Sequence, residues 1–239
     1  MATIAGRPGA RSFTDFAAYL RDNELASQRV FEAAAAAGVR VVFSSSSSVY
    51  GDAASYPTPE ATSPAPRSPY GVTKLACEQL ADVYRAELGL DVVILRYFTV
   101  YGPRQRPDMF LARVVQALAE GGEVLVYGDG SQSRSFTYVT DVVRATIEAM
   151  GSAAPGGLYN VGGGDEASLA EVIALLERVA SRAASVAYAE RSPGDVRRTK
   201  ADTSRICGDL GWEPAVSIED GLRAQWEYQA AAASRIAAS

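Results

Sequence analysis

Hydrophobic positions alternate between two spacings along the chain. Solid apolar runs at 39–43 and 92–96, with shorter ones at 124–127, 158–161 and 186–189, read as strands buried on both faces. Another strand ends at Ile4. Between the runs the spacing becomes helical. A helix over 22–37 stops at Gly38. The next, over 69–88, opens on Ser68 and Pro69, carries Val72, Leu75, Ala76, Leu80 and Val83, and stops at Gly89. Asp108 is expected to cap a helix to Glu120, broken by Gly121 and Gly122, and Thr140 to cap one to Met150. Ser168-Leu-Ala-Glu171 is a capping box, and helices close the chain near 203–210 and 217–233. Alternation of strand and helix predicts an α/β fold with a parallel sheet.

The run at 39–43 leads into five serines, Ser44 to Ser48. Ligands of open α/β sheets bind beyond the carboxyl ends of strands, where these hydroxyls would stand. About two dozen residues later Tyr70 precedes Lys74 by four positions at the start of a helix. Twelve tyrosines but only two lysines, Lys74 and Lys200, make that spacing expected on the order of 0.1 times by chance, so coincidence is disfavoured. At i and i+4 the two groups share a face, and a cation near a phenol favours the phenolate needed for general-base work near neutral pH. An ordinary surface Tyr/Lys pair is the competing reading.

Composition narrows the field. The 239 residues, 48% of them hydrophobic, suffice for a sizeable core. A net charge of −5 disfavours nonspecific nucleic-acid binding. With no histidine, imidazole catalysis and histidine metal ligation are both excluded, and no metal site is expected. Cys77 and Cys207 have no redox or metal spacing and suit a reducing compartment. The alanine-rich run at 33–37 is too short to span a membrane, and no signal peptide is expected, which together predict a soluble cytoplasmic protein.

Four ordered motifs, Ser44-Ser-Ser-Ser-Ser-Val-Tyr-Gly51, Ser68-Pro-Tyr-Gly-Val-Thr-Lys74, Leu95-Arg-Tyr-Phe-Thr-Val-Tyr-Gly-Pro103 and Arg191-Ser-Pro-Gly-Asp195, resemble the extended short-chain dehydrogenase/reductase family. Within it they are most similar to UDP-glucose or UDP-glucuronate 4-epimerases. The resemblance implies NAD as cofactor, a UDP-sugar or other nucleotide sugar as substrate, and a homodimer built through helices. It implies that Tyr70 takes the sugar 4-hydroxyl proton as C4 hydride leaves, that Lys74 lowers the Tyr70 pKa and holds the nicotinamide ribose, and that Ser46 hydrogen-bonds the reacting oxygen. It places Ala5, Gly6, Asn23, Ser44, Tyr97 and Phe98, with Tyr70 and Lys74, on the cofactor. Thr99, Tyr127, Arg134, Arg191 and Asp195, with Ser46, fall on the substrate, arginine suiting phosphate oxygens and a carboxylate suiting ribose hydroxyls.

Two departures bear on the reaction. Family members that dehydrate carry an acidic pair where this chain has Ser47 and Ser48, so epimerisation through a 4-keto sugar is the simpler expectation. Thr99 replaces an asparagine common among relatives and leaves the sugar open. No glycine-rich phosphate loop stands between a first strand and helix; Gly6-Arg-Pro-Gly9 and Gly162-Gly-Gly164 are misplaced for that role. The resulting expectation is an N-terminally truncated Rossmann-like parallel sheet, residues 1–103, lacking its first three strands. A smaller C-terminal α/β substrate domain, residues 104–239, is interleaved with returns to that sheet. Weak NAD binding and impaired activity of the chain alone are expected with it. The alternatives are a non-catalytic nucleotide-sugar-binding remnant and an NDP-sugar dehydratase or reductase.

Overall fold

A computed structural model describes residues 2–4, 12–151, 156–191 and 194–237. The chain runs β1 (Ala2–Ile4), α1 (Phe16–Tyr19), a π-helical segment (Leu20–Leu25), α2 (Ala26–Ala37), β2 (Val41–Ser46), a 3₁₀ turn (Ser47–Val49), α3 (Pro69–Leu88), β3 (Val92–Tyr97) and β4 (Thr99–Tyr101). It continues through α4 (Phe110–Glu120), β5 (Glu123–Tyr127), β6 (Ser133–Tyr138), α5 (Val139–Gly151), β7 (Gly157–Val161) and β8 (Glu166–Ser168). The last elements are α6 (Leu169–Ala180), β9 (Ser185–Ala189), β10 (Arg198–Thr199), α7 (Ser204–Leu210) and α8 (Ile218–Ala237).

The fold is Rossmann-like α/β. Its principal sheet is fully parallel in the order β1-β2-β3-β7. Successive strand residues face opposite sides, so Phe43 and Ile94 pack with Phe31 of α2 and Cys77 and Ala81 of α3. Val42, Val93 and Leu95 pack on the other side with Val142 and Ala145 of α5, Ile206 of α7 and Trp212. Each side chain buried as completely as Phe31 or Leu95 contributes roughly 1.5–3 kcal/mol. A separate core joins Leu111, Val114 and Leu118 of α4 to Val172 and Leu176 of α6 and Leu222 of α8. Against it lie β6, flanked by β4, β10 and antiparallel β8, and the parallel pair β5 and β9. No helix among the described residues is long and apolar enough to cross a membrane.

Most expected elements are present, and their ends follow local chemistry. Ser68 accepts the Gly71 N–H at the start of α3, and Gly89, at φ 67°, closes it in the left-handed region that glycine enters freely. Ser168 and Glu171 make the reciprocal capping box of α6.

Other expectations fail. The first helix begins at Phe16, not 22. Its inward positions are Tyr19, Asn23, Ser27, Phe31 and Ala34, and the two polar members hide the stripe from a hydropathy reading. The β2 strand is shifted two residues later than 39–43 and takes three serines into the sheet. Met109 occupies the N-cap of α4, while Asp108 is drawn aside by Arg106 at 2.9 Å. Thr140 lies within α5 rather than capping it. On α3 the expected inward stripe holds only in part: Leu75 and Leu80 pack against the core, but Val72 and Val83 are 47% and 56% exposed, whereas Lys74 and Glu78 are buried at 2% and 4%.

Candidate functional site

The carboxyl end of β2 and the first two turns of α3 form one wall of the site. The Ser46 hydroxyl accepts the Ser48 N–H at 3.2 Å and donates to the Ser48 hydroxyl at 3.1 Å, which pins the serine tract as it leaves the sheet. Tyr70 is half-buried, with its ring edge-on to Tyr19 at 6.4 Å between centroids. Burial pushes its phenol above the ordinary tyrosine value, while a hydrogen bond with Ser46 and the positive charge of Arg106 act in the opposite direction.

Lys74 is one turn further along. Its ammonium donates to the Ser44 carbonyl at 2.9 Å and lies 5.0 Å from the Phe43 ring centroid and 6.0 Å from that of Tyr70. Burial lowers its pKa to about 8, opposed by the negative potential of Cys77 and Glu78. The lysine thus remains mostly a cation near neutral pH. Its direct partner is a backbone carbonyl, which differs from the phenol-directed contact that the sequence suggests.

Asn23 projects from the π-helical segment, is 1% exposed, and donates to the Thr73 hydroxyl at 2.9 Å. Its amide oxygen is buried with no hydrogen-bond partner. Tyr97 ends β3, its hydroxyl 2.8 Å from that of Thr146, and Phe98 is buried against Tyr50. Ala5 and Gly6 lie outside the described residues.

Beyond the serine tract a cavity of about 180 Å³ is lined by polar groups, among them Ser47, Ser48, Thr99, Arg134 and Asp195. Arg134 pairs with Asp195 at 2.6 Å; burial lowers its pKa and that carboxylate raises it. Arg191 is exposed and donates to the Asp195 carbonyl at 3.1 Å, alongside Gly128. Tyr127 is 41% exposed at the end of β5 and does not line this cavity.

The structure therefore brings Ser46, Tyr70 and Lys74 together, and separately joins Thr99, Arg134 and Asp195. Sequence reasoning missed Arg67 and Thr199, which also line the cavity, and Tyr19 and Arg106, which act on Tyr70. Arg67, salt-bridged to Asp52, lies in a proline-rich loop without periodicity. Only its place just before the Ser68 cap marked it.

Known proteins share this fold and much of its sequence. Residues 3–162 match the family model described as NAD dependent epimerase/dehydratase. An uncharacterized UDP-glucose epimerase of Bacillus subtilis, YtcB, is 40% identical over 94% of this chain and 72% of its own length. Among solved structures, MoeE5 in complex with UDP-glucuronic acid and NAD is 42% identical, with TM-score 0.93, covering 97% of this chain and 80% of that one. UDP-glucuronic acid 4-epimerase from Bacillus cereus, in complex with UDP-glucuronic acid and NAD, is 37% identical, with TM-score 0.91, covering 98% and 74%. A family match spanning well over half of the sequence, and relatives of this similarity, place the chain in the NAD-dependent epimerase/dehydratase family.

Proposed function

We propose that the chain epimerises a nucleotide sugar, of the UDP-glucose or UDP-glucuronate type, at C4 through a transient 4-keto sugar. The convergence of Ser46, Tyr70 and Lys74 at the end of β2, next to an arginine-bearing polar cavity, carries this reading. The residues also suit NAD. The unpartnered Asn23 amide oxygen is a buried acceptor beside Thr73, fit for a ribose hydroxyl or an amide, and Lys74 is a buried cation on the same helix. Asn23, Ser44, Tyr70, Lys74, Tyr97 and Phe98 would line its nicotinamide half.

When bound, NAD supplies reversible two-electron oxidation at the sugar carbon. Tyr70 would take the 4-hydroxyl proton at its phenolic oxygen and, once the keto sugar has turned so that C4 recovers its hydride on the other face, would return a proton to the C4 oxygen. Because burial alone raises the phenol, a positive charge near it is needed at the moment of reaction, and Lys74 and Arg106 are the cations placed to provide it. Ser46 hydrogen-bonds the reacting oxygen and fixes its position. Arg134 supplies a fork for diphosphate oxygens, Asp195 suits ribose hydroxyls, and Thr99 faces the same cavity. Arg191 and Tyr127 stand at its margin, toward the nucleotide.

Three hydroxyls, Ser46 to Ser48, occupy the strand end where elimination would call for an acid and a base. That favours epimerisation over dehydration. Leu20, Leu25, Val72 and Val83 expose apolar surface on the helices, which supports a homodimer as the working form. Two free cysteines fit a cytoplasmic setting.

The test incubates the purified chain with saturating NAD and UDP-glucose or UDP-glucuronate, following the C4 epimer by proton NMR. Epimer formation that falls about 10²–10⁴-fold in Tyr70→Phe, with the fold intact, supports the reading. Undiminished turnover in that variant refutes it.

A further inference from the structure

A buried row of polar side chains crosses the principal sheet just beneath the candidate site. Ser45 of β2 is register-paired with Arg96 of β3, and Arg96 with Asn160 of β7. From above, Glu78 of α3 receives both arms of the Arg96 guanidinium, at 3.0 and 2.6 Å, and the Ser45 hydroxyl also donates to it. The side chains of Arg96 and Glu78 are only 4% and 5% exposed. Arg96 lies 4.6 Å from the centroid of Tyr50, whose hydroxyl donates to Asn160 at 2.7 Å.

Such a pair is an expensive way to fill a core, because desolvating two charges offsets most of their attraction and apolar residues would serve stability as well. Its value here is geometric. The inward face of α3 combines the fully buried Gly71, Thr73, Lys74, Cys77, Glu78 and Ala81 with the part-buried Leu75, Leu80 and Tyr84, which pack on two core clusters; apolar packing holds the helix, and the buried polar groups fix its fine rotation and height. Val72 and Val83, by contrast, are exposed. Glu78 is one turn beyond Lys74 and two beyond Tyr70, so fixing its carboxylate fixes the rotation and height of both. Ser45 sits between Ser44, which receives the Lys74 ammonium, and Ser46, whose hydroxyl draws the Tyr70 phenol pKa downward.

We propose that Glu78, Arg96 and Ser45 form a positioning clamp that locks α3 against the end of β2 and so sets the Ser46–Tyr70–Lys74 geometry. The clamp rests on those three being the reacting group. It touches neither the nucleotide-sugar cavity nor the reacting atoms. Displacements near 1 Å at a reacting centre cost roughly 10²-fold in rate, so a loosened clamp depresses turnover without weakening substrate binding.

The test compares the full chain with Ser45→Ala, a mild change, and Glu78→Gln, which keeps the shape and removes the charge. Lys74 and Lys200 are the only lysines. Carbon-13 lysine labelling therefore gives two ammonium titrations, assigned with Lys200→Arg. The ionisable groups facing Lys74 are Tyr70, Cys77 and Glu78 on its own helix, while β2 offers the Ser44 carbonyl and the Phe43 ring and the π-helical segment the Asn23 carbonyl behind Cys77. Both variants are expected to move the Lys74 titration midpoint while leaving Lys200 in place. Both should lower kcat about 10-fold or more with KM for the nucleotide sugar within about twofold. Glu78→Gln also removes a charge that acts on Lys74 directly, so the decision rests on Ser45→Ala: a Lys74 titration that stays at its original midpoint in that folded variant overturns the clamp. Absence of turnover in the unsubstituted chain would count against the proposed function instead, and the Lys74 titration would still decide the clamp.

Discussion

Replacing Lys74 by methionine should stabilise the folded chain near neutral pH, and the gain should vanish as the solution becomes alkaline. Burial brings the Lys74 ammonium from an ordinary value of 10.5 to about 8. At 1.36 kcal/mol per pH unit this corresponds to ~3 kcal/mol of strain in holding the charge inside. An unfolded chain keeps that proton up to about pH 10.5, whereas the folded chain releases it around 8. Between those values the unfolded state binds more protons, so this site makes the original protein more stable as pH rises, and below pH 8 the penalty is present in full. Methionine has no proton to release. The stability of Lys74→Met minus that of the original chain should therefore fall by ~3 kcal/mol between pH 8 and 10.5. The lost bond to Ser44 and any packing change set the offset but not the slope. Urea unfolding followed by circular dichroism at four pH values measures the difference, and the tyrosines and cysteines common to both proteins largely cancel. A difference that stays flat within about 0.5 kcal/mol would show that the ammonium is not strained, and the account of a buried cation held for chemistry at the expense of stability would fail.

Arg134→Gln removes the fork assigned to the diphosphate and releases Asp195; KM for the nucleotide sugar should rise about 10–100-fold with kcat little changed, as read from initial rates. The same variant should reduce the salt dependence of KM, since the charge on which screening acts is gone. Gly163→Ala should cost several kcal/mol or abolish folding in a thermal melt, because a Cβ there would collide with the Phe136 carbonyl, a backbone atom that cannot step aside. Ser168→Ala, which removes the α6 cap, should cost only ~1 kcal/mol in the same melt.

Those last two variants mark what the chain announces locally and what it does not. The α6 box was legible because Ser168 and Glu171 satisfy each other's backbone within three residues. The Ser68 and Gly89 ends of α3 and the Gly38 stop of α2 were legible for the same reason. Gly162-Gly163-Gly164 was recognisable as unsuited to a phosphate loop, yet its role as the close crossing between β7 and β6 depends on Phe136, far away in sequence. The β6 strand escaped because Ser133-Arg-Ser-Phe-Thr-Tyr138 lacks a solid apolar run; its inward positions include Ser135 and Thr137, which bond to Gly163 rather than to apolar neighbours.

Helix α3 shows why the site itself resists a hydropathy reading. Its period and ends were legible, but its facing only in part, since Leu75 and Leu80 do turn inward while Val72 and Val83 do not; the rule that apolar side chains turn inward assumes that packing alone decides the rotation. Here Lys74 and Glu78 are satisfied inside by Ser44, Ser45 and Arg96, and those partners come from two strands that the helix sequence cannot announce. Burying them leaves Val72 and Val83 on the outside, where only another surface can shelter them. The Tyr70–Lys74 spacing singled out the buried polar face by its chemistry, while the hydrophobic pattern of the same twenty residues placed Leu75 and Leu80 inward correctly and Val72 and Val83 wrongly. Where the two readings conflict on one element, the conflict marks the face on which to test for function, since packing alone gives a helix no reason to hide a cation and show its valines.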